Sequence, residues 1–367
     1  MTGARGEQLG ARRDLAGNEP AEVEDRVPGP GGQCGQVTIP VTHEPGHPGK
    51  KTLAGTPSVE QSDVMSRSER VLDDVPADVL RAAEHQQAHG GRVVAAELLR
   101  KWGLSEVWRV ELAGAPVRSV IVKRGSGEMA AEADRYQRLV VPLGLDAPRL
   151  LGVDPLVLED VGPDNLEQRP IPGGHREAVR TLARMRATAT RALTADPSIG
   201  AGLRRSTADF ADLARRAGAG LAAVRPDLAG ALDDPARELI RRLDRAAGRP
   251  GTIVHSDFHP KNLVHAAGGR LVAVDWPLAY LHFHLGDLYC LIRETGQPEL
   301  AGVYAEESGA GLATVLDDVT TGGLCWTLLT LRWLVEEGLT AIPESAGWLD
   351  GLVAELRGLV SRPSSRG

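Results

Sequence analysis

Ile253-Val254-His255-Ser256-Asp257-Phe258-His259-Pro260-Lys261-Asn262-Leu263-Val264, followed by Leu271-Val272-Ala273-Val274-Asp275-Trp276, is the most informative segment of the chain. Asn262 to Val264 and Leu271 to Asp275 form two short apolar runs, and Ala267-Gly268-Gly269-Arg270 between them has turn composition. An antiparallel hairpin that pairs Ala266 with Leu271 sets Asn262 opposite Asp275. Directly opposed side chains on one face have Cβ atoms roughly 5 Å apart. An amide oxygen and a carboxylate would then converge, the donor set a hard divalent cation prefers. Asp257, in a loop closed by Pro260, can hang over the same point without being a ligand.

This arrangement suits phosphoryl transfer. That step needs Mg²⁺ to neutralise phosphate charge and a carboxylate to orient the acceptor hydroxyl and take its proton. Asp257 is the expected base, and Asn262 and Asp275 are the expected metal ligands. His255 is expected to brace the loop by hydrogen bonding. A lone His-x-Asp is commonly a surface loop, and a lone apolar-Asp-Trp is commonly a strand end. Their order and spacing together carry the functional reading. Lys261 reads as a solvated charge. His282 and His284 lack a spaced third ligand and read as an ordinary loop. Trp326 and Trp333 read as core.

Working outward, residues 175–248 are mostly helical by apolar spacing. The helices run from Ala178 to Leu193, Phe210 to Leu221 and Ala236 to Ala247, the last with Asp234-Pro235 as a start signal. Residues 287–360 are helical in pieces, including a buried Leu324 to Val335 that carries Arg332. Upstream, residues 85–160 are strand-rich. Val107 to Leu112 and Val117 to Val122 flank the hairpin-like Ala113-Gly114-Ala115-Pro116, Glu128 to Leu139 has helical spacing, and Leu156 to Leu158 is a further strand. The outline is α+β: a small β-rich part followed by a larger α-rich part.

H-x-D-x-x-x-x-N with a following apolar-Asp-Trp resembles the aminoglycoside phosphotransferase and choline kinase-like family, within the protein-kinase-like superfamily. His259-Pro260 and the downstream Asp287-Leu288 extend the likeness, whereas Tyr289 and Pro277 depart from it. The resemblance implies a bilobal protein-kinase-like fold. It further implies that Lys123 of Val120-Ile121-Val122-Lys123 grips the α- and β-phosphates, with Glu132 as its ion-pair partner and Glu128 as the competing choice. Ser105, in Gly103-Leu104-Ser105-Glu106-Val107-Trp108, falls in the nucleotide loop. Leu158-Glu159-Asp160-Val161-Gly162 falls at the hinge, where backbone groups of Glu159 and Val161 would hold the base. Asp287 would anchor the catalytic loop. The implied activity is transfer from ATP, with GTP not excluded, to a hydroxyl of a small molecule such as an aminoglycoside-like compound, an amino-alcohol or a sugar. The competing class is a nucleotide-binding pseudokinase, which predicts a missing essential side chain; base, ligands and lysine are all present. A protein kinase is disfavoured because Asp275-Trp276-Pro277 replaces Asp-Phe-Gly and no Ala-Pro-Glu follows.

The composition agrees. Among 367 residues, 42 Lys and Arg against 49 Asp and Glu give a net charge of -7, with no basic run, which argues against a nucleic-acid partner. The acidic residues Glu294, Glu299, Glu306, Glu307, Asp317 and Asp318 suit either a cationic acceptor or a solvated helix face. Three widely spaced cysteines argue against a disulfide framework. With no apolar leader or membrane-length stretch, a cytoplasmic monomer or homodimer with no membrane partner is expected. Residues 1–64, rich in Gly and Pro, are expected to be disordered, with Met65 a candidate start. Residues 65–162 then form the N-lobe, 163–360 the helical C-lobe and 361–367 a flexible tail.

Overall fold

The computed structural model describes residues 72–85, 91–114 and 117–361. The expected disorder of residues 1–64, the start at Met65 and the tail beyond Ser361 lie outside the described residues.

Helix α1 (Ala77–His85) precedes strands β1 (Arg92–Trp102), β2 (Ser105–Ala113) and β3 (Ser119–Gly125). Alternation along β3 buries Val120 and Val122 on one face and turns Ile121 and Lys123 to the other. Val120, Val122, Val110 and Val157 pack with Val79 and Ala83 of α1, so α1 roofs the outer face of the sheet. Each of these fully buried valines is worth about 1.5–3 kcal/mol relative to exposure.

The chain then passes through a 3-10 turn (Gly127–Ala131), helix α2 (Glu132–Arg135) and a π turn (Tyr136–Val140). One continuous helix over 128–139 was the expectation, and the structure breaks it into these three parts. The reason is burial. Tyr136, Leu139 and Val140 are all buried, and the wider turn lets the adjacent Leu139 and Val140 both face inward. Strands β4 (Leu150–Val153) and β5 (Leu156–Glu159) complete an antiparallel sheet of five strands in the order β1-β2-β3-β5-β4.

Helices α3 (Gly174–Ala195), α4 (Thr207–Val224) and α5 (Asp233–Arg245) follow. Ser206 and Asp209 form a reciprocal capping box that starts α4. Four short strands come next: β6 (Thr252–Val254), β7 (Leu263–His265), β8 (Leu271–Ala273) and β9 (Tyr280–His282). They pair as β6 with β9 and β7 with β8. Helices α6 (Gly286–Thr295), α7 (Leu300–Ser308), α8 (Leu312–Trp333), α9 (Leu339–Ala341) and α10 (Leu349–Val360) finish the chain, with a π turn at Leu334–Gly338 between α8 and α9. The fold is thus a β-sheet N-terminal region and a helical C-terminal region.

Buried Arg186 of α3 fastens the short strands to the helices. Its guanidinium donates to the carbonyls of Ile253 (3.0 Å), His284 (3.1 Å) and Phe283 (2.6 Å). Helix α8 crosses the start of α6 at closest approach, where a Cβ on Gly322 would lie 2.3 Å from the backbone nitrogen of Gly286.

The β7–β8 hairpin forms where expected, but in a different register. His265 pairs with Leu271 and Leu263 with Ala273, and the Val274 N–H donates to the Asn262 carbonyl at 2.9 Å. Asn262 therefore faces Val274, not Asp275. The turn holds one residue fewer than the sequence suggested, because Ala266 closes it by donating to the Arg270 carbonyl at 2.9 Å. A one-residue slip ordinarily sends a side chain to the opposite face. Here Asp275 takes a left-handed backbone conformation, φ 73°. That conformation is uncommon for a non-glycine residue and re-aims its side chain.

Candidate active site

Strand β6 leads into the loop of residues 255–262. His255 follows it and is fully buried; its Nδ1 accepts from the Asp257 backbone N–H (3.3 Å) and its Nε2 donates to the Val274 carbonyl (3.1 Å). Burial keeps its pKa below that of a free histidine, against the pull of nearby carboxylates. With both ring nitrogens engaged and no exposure, His255 ties the Asp257 loop to the strand that presents Asp275. It has no route to a substrate.

Ser256 takes φ 76°. That turn is held by Asp287, fully buried in the first turn of α6, whose two carboxylate oxygens accept the backbone N–H groups of His255 and Ser256, each at 2.8 Å. Asp287 satisfies both donors of a strained turn, the anchoring role expected of it. From the other side, the Trp326 Nε1 of α8 donates to the Ser256 carbonyl at 3.1 Å. Trp326 is thus a buttress of the loop, a role its reading as plain core missed.

Asp257 is 28% exposed along its side chain, so it can meet solvent or a substrate. One oxygen accepts from Asn262 Nδ2 at 2.7 Å, and the other lies 2.9 Å from His259 Nε2. Burial works to raise its pKa, but His259 and Lys261 outweigh burial and hold the carboxyl well below the usual carboxylate range. Lys261 is 42% exposed and 3.6 Å from the same carboxylate. His259 also contacts the Cys290 Sγ at 3.1 Å. Asn262 spends its Nδ2 on both the Asp257 carbonyl (2.9 Å) and carboxylate. That fixes its amide so that Oδ1 remains the free acceptor.

Across the cleft, the Lys123 ammonium lies 2.7 Å from Asp275 Oδ1 and is ion-paired with Glu132. Burial opposes the charge, but the two carboxylates overcome it and raise the Lys123 pKa above that of a free lysine. Glu132 also accepts the Trp276 backbone N–H at 3.0 Å. One carboxylate therefore joins sheet, α2 and the Asp275 loop. The competing Glu128 pairs elsewhere, with Arg332 of α8 at 2.5 Å.

A cavity of about 730 Å³ opens beside these groups, walled by Ser105, Lys123, Glu132 and Asp275 and extending to Arg81 and His85 of α1. Asp257, Asn262, Glu159 and Val161 are not among its walls. At the end of β5, the Glu159 backbone N–H already donates to the Arg149 carbonyl at 2.9 Å. Asp160 buckles the segment by accepting from Arg109 (2.8 Å) and Ser119 (2.8 Å). Of the acidic residues in the last third, Asp317, Asp318 and Glu307 are paired with Arg242, Arg249 and Arg180. Glu294 alone of that group comes near the loop, 3.8 Å from His259 Nδ1. His282 and His284 are buried, not loop residues in solvent.

Among the described residues, no group of three or more His, Cys, Asp or Glu is arranged to hold a metal. A hard cation shared between protein and phosphate needs fewer protein ligands. Asn262 Oδ1 and the Asp275 carboxylate are the oxygen donors that suit it. Sequence reasoning missed Arg100, whose guanidinium lies 3.5 Å from Asp275 Oδ2.

A five-stranded antiparallel sheet set against a helical region, with a sheet lysine paired to a helix glutamate beside an Asp-Trp hairpin, defines a kinase-like phosphotransferase fold. Residues 99–317 match the phosphotransferase enzyme family, and the chain belongs to it. Solved structures agree on the fold. Choline kinase LicA from Streptococcus pneumoniae is 14% identical, with a TM-score of 0.52 over 74% of this chain and 94% of that one. The GDP complex of wild-type aminoglycoside 2'-phosphotransferase-IIIa is 15% identical, with a TM-score of 0.50 over 73% and 93%. ADP-bound aminoglycoside phosphotransferase APH(2'')-Ib is 10% identical, with a TM-score of 0.50 over the same shares. No curated protein matches the chain. No described helix is long and apolar enough to cross a membrane.

Proposed function

We propose that this protein transfers the γ-phosphoryl group of ATP, or GTP in its place, to a hydroxyl of a small molecule. The reading rests above all on Asp257. It is a partly exposed carboxylate pinned by Asn262 at 2.7 Å, on a loop held from beneath by Asp287 and His255. A base so fixed spends no reorganisation when the acceptor arrives.

Lys123, oriented by Glu132, grips the nucleotide phosphates. Backbone groups around Val161 meet the base edge; the engaged Glu159 N–H is not offered there. Ser105 stands at the rim of the phosphate site. Asp257 accepts a hydrogen bond from the acceptor hydroxyl, which aims that oxygen's lone pair at the γ-phosphorus, and takes the proton as the new O–P bond forms and the bond to the β,γ-bridging oxygen breaks, releasing the nucleoside diphosphate. Because its carboxyl is already ionised, Asp257 enters the step ready to accept. Asn262 Oδ1 and Asp275 would hold Mg²⁺, which supplies charge neutralisation on the phosphate oxygens when bound. Residues 65–162 serve as the nucleotide lobe and 163–360 as the acceptor lobe.

Aminoglycosides, amino-alcohols and sugars are the acceptors to screen first, with phosphorylated product read by mass spectrometry. Asp257→Asn lowers turnover by roughly 10²–10⁴-fold, the usual worth of a positioned base, while leaving nucleotide binding intact. Turnover within tenfold of the unmodified protein would remove Asp257 as the base.

A further inference from the structure

Strand β1 carries two register breaks against β2, and the second decides where Arg100 points. Leu98 pairs with Trp108, yet Arg100 pairs with Val107, leaving Leu99 as the extra residue of a β-bulge. In an unbulged register, with Leu99 opposite Val107, Arg100 would stand opposite Glu106, on the outer face of the sheet. Lys101 does stand there, 2.8 Å from Glu106. The bulge instead places Arg100 in one cross-strand row with Val107 and Lys123. That row faces the cleft, since the neighbouring row of Trp108, Val122 and Val157 packs in the core under α1. Two cations on one face of the sheet thus converge on Asp275, Lys123 at 2.7 Å and Arg100 at 3.5 Å.

The two are held differently. Lys123 is 11% exposed and locked between two carboxylates, whereas Arg100 is 48% exposed and makes a long, single contact. Its guanidinium also lies 5.5 Å from the Trp102 ring centroid, which supports the stem while leaving the donors free. The hairpin beyond it is short. Trp102 pairs directly with Ser105, so only Gly103 and Leu104 make the turn. A two-residue turn cannot drape a row of backbone N–H groups along a triphosphate, as a long glycine-rich loop does. The cleft needs another source of phosphate donors on its sheet side, and a forked guanidinium is suited to it.

We propose that Arg100 is a second phosphate-binding cation of this cleft, resting on Asp275 and passing to the nucleotide phosphates when Asp275 engages Mg²⁺; this rests on the phosphotransferase reading above. The test compares the unmodified protein with Arg100→Gln and Arg100→Lys. Titration calorimetry reads Mg-ATP and inorganic tripolyphosphate binding, and ligand-observed NMR reads adenosine. Loss of one charged hydrogen-bonding partner weakens Mg-ATP and tripolyphosphate about tenfold or more in Arg100→Gln, leaves adenosine unchanged, and is partly restored in Arg100→Lys. Mg-ATP affinity in Arg100→Gln within twofold of the unmodified protein overturns the assignment. Equal weakening of adenosine and Mg-ATP also overturns it, because it marks a general disturbance of the sheet. Absence of both Mg-ATP and Mg-GTP binding to the unmodified protein overturns the phosphotransferase reading itself, and Arg100 with it.

Discussion

Acidification from pH 7 to pH 5 should remove roughly 2 kcal/mol of folding stability through the buried His282, with His284 acting in the same direction. His282, at the end of β9, packs its ring 5.2 Å from Phe210 and 4.7 Å from His284. Burial lowers its pKa to about 3, and the charges of Arg186, Arg205 and Arg249 press the same way. His284 is lowered well below a free histidine, by burial first and then by His282 and the same pair Arg186 and Arg205. It accepts from the Gly286 N–H at 3.0 Å on one ring nitrogen and meets the Tyr280 hydroxyl at 2.8 Å on the other, so it too is held neutral. The sign follows from who binds the proton. The unfolded chain takes one on each ring near pH 6.5 and the folded chain refuses it, so stability is full above that pH and falls as pH drops toward 3. Denaturant unfolding at pH 7, 6 and 5, on the unmodified protein and on His282→Asn, isolates one of the two. Asparagine keeps an acceptor near Nδ1 but does not titrate. His282→Asn should recover roughly 2 kcal/mol of the acid-induced loss at pH 5. An identical pH dependence in the two proteins would refute the argument, since it would show His282 protonated in the fold or buried equally in the unfolded chain.

Three further outcomes follow from contacts described above. Asp287→Asn keeps one of the two backbone acceptors and sets an amide against the other N–H, which should cost about 2–3 kcal/mol by denaturant unfolding and lower turnover without changing the nucleotide that is bound; an unchanged stability would show that the Ser256 turn does not depend on it. Gly322→Ala forces a methyl against the Gly286 backbone, where neither partner is a flexible side chain. A loss of about 1–3 kcal/mol is expected, read as a lower melting temperature. Arg332→Met leaves Glu128 without its cation, and a modest destabilisation of about 1–3 kcal/mol is expected; rescue by Glu128→Gln in the double variant would attribute it to that pair.

Where the chemistry depends on short spacings the sequence was readable, and where it depends on an extra residue in a strand or a shorter turn it was not. Lys123 with Glu132, and the Asp257-to-Asn262 loop, sit close in sequence or are tied by repeating patterns of apolar residues. The hairpin after Asn262 was legible as a hairpin but not in register, because its turn length is set by one Ala266–Arg270 hydrogen bond that composition does not encode. Strand β1 was hidden for the same reason: its two bulges break the apolar alternation of Arg92 to Trp102 that would announce a strand. Arg100 disappeared with it, since only the bulge sends it to the cleft. The split of the 128–139 helix into 3-10, α and π pieces was likewise invisible, being a response to three buried side chains that need more than one helical face. His282 and His284 looked like loop residues because nothing local reveals that α3, α4 and Arg186 close over them.

Helix α8 touches both halves of the cleft. Near its end, Arg332 holds Glu128 just ahead of α2, and the Trp333 ring meets that of Trp102 edge-on at 6.5 Å. About two turns earlier, Trp326 grips the carbonyl of Ser256, next to Asp257. A single rigid rod therefore has one hand on the ceiling and the other on the floor. On the phosphotransferase reading, any shift of the sheet on admitting a nucleotide would therefore bear on the peptide that positions Asp257.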